Sequence, residues 1–96
     1  MKTTLDLAFL ENSTETLRSI AHPIRIEVIE MLHRNGKMTV TEIYEQLQIE
    51  QAVASHHLKI MKNKAIVKVE RDGRNSLYSL TTPEFYHIVD ILTKVL

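Results

Sequence analysis

The chain has 96 residues, 44% of them hydrophobic, with 12 Lys and Arg set against 12 Asp and Glu, and it contains neither cysteine nor tryptophan. That length fits one domain, 1–96, whose burial of only about 65% of its extended surface leaves a small core that a partner chain would help to complete. The lack of cysteine excludes thiol catalysis, disulfides, zinc-thiolate sites and iron–sulfur clusters, no apolar run reaches the ~18 residues of a membrane span, and the expected location is the cytoplasm.

Residues 5–20 read as a helix interrupted near Asn12-Ser13, where Asn12 would cap a second segment and Glu15 would answer it from the third helical position. His22-Pro23 opens a second helix, since proline suits the first helical position, and Ile26, Val28, Ile29, Met31 and Leu32 give it a buried stripe that stops at Asn35-Gly36. Thr39-Val40-Thr41-Glu42 has the capping-box pattern, and Val40, Ile43, Tyr44 and Leu47 share the core face of a third, short helix. After the connection Gln48-Ile49-Glu50, a fourth segment begins in which Val53, Ala54, His57, Leu58 and Met61 share one face. Two short helices joined by a tight turn point to a helix-turn-helix. Two β-rich runs, Ala65 to Arg71 and Ser76 to Leu80, then flank Asp72-Gly73-Arg74-Asn75, the signature of a hairpin. Thr82 and Pro83 start a last helix that is strongly apolar through Phe85, Ile88, Val89, Ile91, Leu92, Val95 and Leu96. The predicted class is mainly α with a β-hairpin wing, a winged helix-turn-helix.

The formal net charge of zero argues at first against nucleic acid as a partner. Its distribution reverses that argument. Residues 1–53 carry a balance of −3 and residues 77–96 a balance of −1, while residues 54–76 carry +4. The positive block lies on the fourth helix and the hairpin, the two elements a winged helix presents to DNA. Opposite its apolar face, the fourth helix carries Ala52, Ser55, His56 and Lys59 at i, i+3, i+4 and i+7, followed by Lys62. A helix in the major groove needs short side chains for close approach, donors and acceptors at base edges, and cations toward phosphate; this stripe has all three. The hairpin adds Lys68, Arg71 and Arg74.

The segments Leu17 to Leu32, Val53 to Met61 and Arg74 to Leu80 closely resemble the ArsR/SmtB family of bacterial repressors, in an A-x-P-x-R opening, an S-x-H-L on the recognition helix and a wing closing in Y-S-L. The resemblance spans roughly residues 15–80. It implies a homodimeric repressor whose first and last helices form the dimer interface and whose double-stranded DNA operator is an imperfect palindrome, read through helix 51–63 and wing 66–80. Gln51, Ala52, Ser55 and His56 would then face base edges, and Lys59, Lys62, Lys68, Arg71 and Arg74 would reach phosphate or the minor groove. His57 matches the family histidine of S-x-H-L and is expected to pack at the core edge.

Many members of that family release DNA on binding a metal. Thr39 and Thr41 stand where members with a thiolate site have cysteines, and their hydroxyls are too hard for a soft metal. The family's second site draws carboxylates and imidazoles from the paired last helices; Glu84, His87 and Asp90 offer one early group, and the sequence stops at Leu96 before a second. No metal, no cofactor and an unidentified effector are therefore expected. Gln48 replaces a usual glycine and Glu50 a usual Ser or Thr cap, which places a negative charge near the DNA side. The competing reading is a winged-helix protein-interaction module with vestigial DNA contact. Enzyme activity is not expected: no nucleophile, base and orienting group assemble, and Gly36 and Gly73 alone cannot form a phosphate loop.

Overall fold

A computed structural model describes residues 2–96. The described residues form α1 (Leu7–Ile20), α2 (Pro23–Asn35), β1 (Met38–Thr39), α3 (Val40–Leu47), α4 (Gln51–Asn63), β2 (Val67–Asp72), β3 (Asn75–Leu80) and α5 (Glu84–Val95). The sheet is antiparallel in the order β1-β3-β2.

The first helix is continuous, contrary to the interruption expected at Asn12. Asp6 caps it from upstream, its carboxylate accepting from the Ala8 N–H at 2.8 Å. Asn12 is exposed, and the neighbouring Thr14 hydroxyl bonds back to the Leu10 carbonyl at 2.8 Å, so the polar run is accommodated on the wet side of the helix. In α2, His22 is the N-cap, with ring Nδ1 accepting from the Ile24 N–H at 3.1 Å, and Pro23 occupies the first turn. Gly36 ends the helix at φ +81°, a conformation that favours glycine.

Strand β1 is not among the elements expected from the sequence. Its two residues pair Met38 with Tyr78 and Thr39 with Leu77, which makes β3 the central strand and ties the wing to the helical body. Thr39 then caps α3: its hydroxyl accepts from the Glu42 N–H at 3.1 Å, and the Glu42 carboxylate accepts from the Thr39 N–H at 2.9 Å. This is the capping box that the sequence predicts.

The core lies where α2, α3, α4 and the sheet meet; Ile29, Ile43, Leu58, Met61 and Ile66 have no accessible surface. On α4 the buried stripe is Ala54, His57, Leu58 and Met61. Val53, expected on that face, is 38% exposed. It precedes Ala54 by one residue and so points about a quarter of a turn away from the stripe.

Pro83 stands at the N-cap of α5, and the Thr82 hydroxyl accepts from the Glu84 N–H at 3.4 Å, so the helix starts one residue later than the proline rule suggests. One side of α5 packs on the core through Val89, Phe85 and Ile88. The other side does not: Ile91 is 59% and Val95 70% exposed. On α1, Leu7 and Phe9 are likewise 59% and 55% exposed.

Candidate nucleic-acid interface

The turn between α3 and α4 aims the recognition helix. Gln48 adopts the left-handed conformation at φ +56°, and the Ile49 N–H reaches back to the Tyr44 carbonyl at 3.1 Å. Glycine would hold this backbone without strain. Glu50 precedes α4 and makes no side-chain cap hydrogen bond. Burial of Ala54, His57, Leu58 and Met61 turns the opposite face of α4 outward.

All nine residues singled out from the sequence are exposed: Gln51, Ala52, Ser55, His56, Lys59 and Lys62 on α4, Lys68 and Arg71 on β2, and Arg74 in the hairpin loop. Strand β2 packs against α4, so helix and wing form one continuous unit. The hairpin closes through Gly73-Arg74 between the paired Asp72 and Asn75, with Gly73 at φ +62°. The loop therefore holds Arg74 at the tip.

The salt bridges sort the cations. Lys64, the sixth positive charge of the basic block, is ion-paired with Glu15 of α1. Lys37 is bound to Glu70 of the wing at 3.0 Å, and that contact holds the Glu70 carboxyl below its usual range. Among the described residues, Lys59, Lys62, Lys68, Arg71 and Arg74 form no salt bridge. Arg71 only donates to the Ser76 hydroxyl across the hairpin at 3.2 Å. Those five lie on the outward face of α4 and the wing, available to an external anion.

His57 is 6% exposed and lies on the inner face of α4, as its place in the S-x-H-L pattern implied. What the sequence did not reveal is its partner. Arg25 of α2 donates from Nε to His57 Nδ1 at 3.0 Å, and burial, followed by His22, Arg25 and His56, pushes the His57 pKa down. The arginine of A-x-P-x-R and the histidine of S-x-H-L, 32 residues apart, are thus one interaction.

Metal ligands are sparse. The Thr39 hydroxyl is committed to the capping box, and Glu84 and His87 pair with each other at 3.0 Å while Asp90 pairs with Lys94 at 2.9 Å. Among the described residues no three His, Asp or Glu side chains converge. Hydroxyls and an isolated carboxylate–imidazole pair do not fit a closed transition-metal site within the protomer. No helix of the described residues is long and apolar enough to cross a membrane.

The family model of the arsR family of bacterial regulatory proteins matches residues 22–69, from the N-cap of α2 into β2. The chain belongs to this family. It is 31% identical over 86 residues to the transcriptional repressor PagR of Bacillus anthracis, covering 90% of this chain and 86% of that protein. The crystal structure of PagR superposes with a TM-score of 0.81 over 91% of this chain and 99% of that one. The repressor SmtB of Mycobacterium tuberculosis is 39% identical over 80 residues, 83% of this chain, and the match spans only 58% of that repressor's length. A homodimeric winged helix-turn-helix DNA-binding domain from Mycobacterium bovis shares the fold at a TM-score of 0.82, with 20% identity over 99% of this chain and 89% of that one. The arsR-family chain described here therefore has a winged helix-turn-helix fold, with α3 and α4 as the helix-turn-helix and β2 and β3 as the wing.

Proposed function

We propose that residues 1–96 act as one DNA-binding domain, a homodimeric transcriptional repressor that works in the cytoplasm by binding and not by catalysis. Gln51, Ala52, Ser55 and His56 of each protomer approach base edges in the major groove, and Lys59, Lys62, Lys68, Arg71 and Arg74 approach the phosphate backbone or the minor groove. The observation that carries this reading is the sorting of charge: on α4 and the wing, five outward cations have no carboxylate partner, whereas Lys37 and Lys64 do. Dimerisation through α1 and α5 accounts for the apolar side chains those helices leave exposed, and two-fold symmetry of the protein asks for a palindromic operator. Family membership and the likeness to PagR support the role of repressor.

The test is selection of duplexes from a random-sequence pool by the purified chain, followed by anisotropy titration of the selected duplex and sedimentation of the complex. The expected result is two protomers per duplex with affinity that falls steeply as salt rises. Retention of no duplex, or binding indifferent to salt, would overturn the proposal.

A further inference from the structure

Arg25 stands at a junction of three helices. From α2 its Nε donates to His57 Nδ1 on α4 at 3.0 Å, and its Nη1 donates to the Arg18 and Ser19 carbonyls at 3.3 Å each. Those carbonyls belong to the last turn of α1, where orphan acceptors and the negative end of the helix dipole favour a cation. One guanidinium therefore links the C-terminal end of α1, an element of the dimer, to the buried face of the recognition helix.

The link depends on the protonation state of one ring. An arginine can only donate, so His57 Nδ1 must accept, and the ring must be neutral with its proton on Nε2. A second proton would place N–H against N–H and bring a cation against Arg25. The surroundings offer that charge no relief. The titratable and charged groups acting on the ring are His22 and Arg25 from α2 and His56 from α4 itself, and α1 presents only backbone carbonyls already bonded to Arg25. The His22 ring lies 4.3 Å from that of His57, centroid to centroid, and its Nδ1 is occupied in capping α2. His56 meets the ring edge-on at 5.3 Å and continues to the exposed face of α4.

We propose that Arg25 and His57 are positioning residues for DNA recognition: their hydrogen bond fixes α4 against α1, and protonation of His57 releases it, so that operator affinity falls on the acid side. This rests on the DNA-binding reading above. Neither residue touches DNA; each acts through the orientation of α4. The sign follows from the direction of the pKa: burial and the neighbouring cations depress it, so the linked form is complete above the ordinary histidine range and is lost as pH falls through the lowered value.

The experiment measures affinity for the duplex that the wild type selects at neutral pH, at fixed salt, from pH 8 down to 5.5, with helicity and dimer mass followed in parallel. Four proteins are compared: wild type, His57→Asn, His57→Phe and Arg25→Lys. Asparagine places its amide oxygen where Nδ1 stood and does not titrate; phenylalanine keeps a ring without an acceptor. Wild-type affinity should fall toward the one-proton limit, about tenfold per pH unit for each ring. His57→Phe and Arg25→Lys should bind more weakly at pH 8 with no such acid limb, and His57→Asn should recover most of the affinity lost in His57→Phe with a flat profile. Should His57→Phe fail to fold, the wild type against His57→Asn still decides. Parallel acid limbs in wild type and His57→Asn, or undiminished affinity in Arg25→Lys, would overturn the inference while leaving DNA binding intact. If the wild type selected no duplex, the functional reading and the inference would fall together.

Discussion

Lys62→Ala and Lys64→Ala remove the same charge two residues apart, and the structure gives them different consequences. Lys62 is exposed on the last turn of α4 with no carboxylate partner, whereas Lys64 is held by Glu15 of α1. If each outward cation neutralises one phosphate, a dimer with five per protomer makes about ten contacts, and log K against log salt has a slope of about −9. Affinity then drops by about five decades between ~50 and ~200 mM salt. Lys62→Ala removes two contacts per dimer and should flatten the slope by about 1.8, and Lys59→Ala with Arg74→Ala removes four and should flatten it by about 3.6. Lys64→Ala should leave the slope unchanged, with only the loss of an exposed ion pair. Anisotropy titrations of one duplex over a salt series give all four slopes. Equal flattening by Lys62→Ala and Lys64→Ala would mean that net charge and not this face sets the affinity, against the role given to the outward cations.

Three further outcomes concern the scaffold. Ala65 follows α4 at φ +55°, so Ala65→Gly should relieve left-handed strain and stabilise the fold by about 1 kcal/mol in urea unfolding. Thr39→Ala removes the hydroxyl half of the capping box and should destabilise by about 1 kcal/mol. The Thr39 backbone N–H first, and its side chain second, hold the Glu42 carboxyl below its usual range; the variant keeps the first and loses the second, so only that smaller part of its deficit should fade as pH falls through the lowered value in acid unfolding curves. Ile91→Glu places a charge on the exposed apolar side of α5 and should convert the dimer to monomer in sedimentation, with operator binding lost.

The readable features were those set by residues close in sequence. Thr39 and Glu42 are three apart and bond as their pattern requires; Gly73 marks the hairpin loop; the spacing of Ala52, Ser55, His56 and Lys59 sets an outward face once the opposite side is buried. What was not legible falls into three kinds. Asn12 and Val53 were misread because local signals compete: Asp6 upstream supplies the cap of α1, and an apolar residue beside a stripe need not belong to it. The pairing of Met38 with Tyr78, the Lys64–Glu15 ion pair and the Arg25–His57 bond join residues 32 or more apart, where periodicity carries no information. Gln48 and Ala65, both at positive φ without being glycine, were set by the geometry that the flanking helices impose. For the candidate interface, the sequence pattern puts all nine candidate residues on the exposed side but carries no sign of which lysines are already paired.

In the proposed mode of binding, the outward face of α4 reads base sequence while the cations beside it supply affinity. Its most direct test is to select duplexes from a random pool with wild type, Ser55→Ala, His56→Ala and Lys62→Ala and to compare the sequences recovered. Ser55→Ala and His56→Ala should relax or change the preference at particular symmetric positions of a palindrome, by about 1–3 kcal/mol per lost base contact, while Lys62→Ala should recover the same sequence with weaker binding. One unchanged consensus from all four proteins would contradict it.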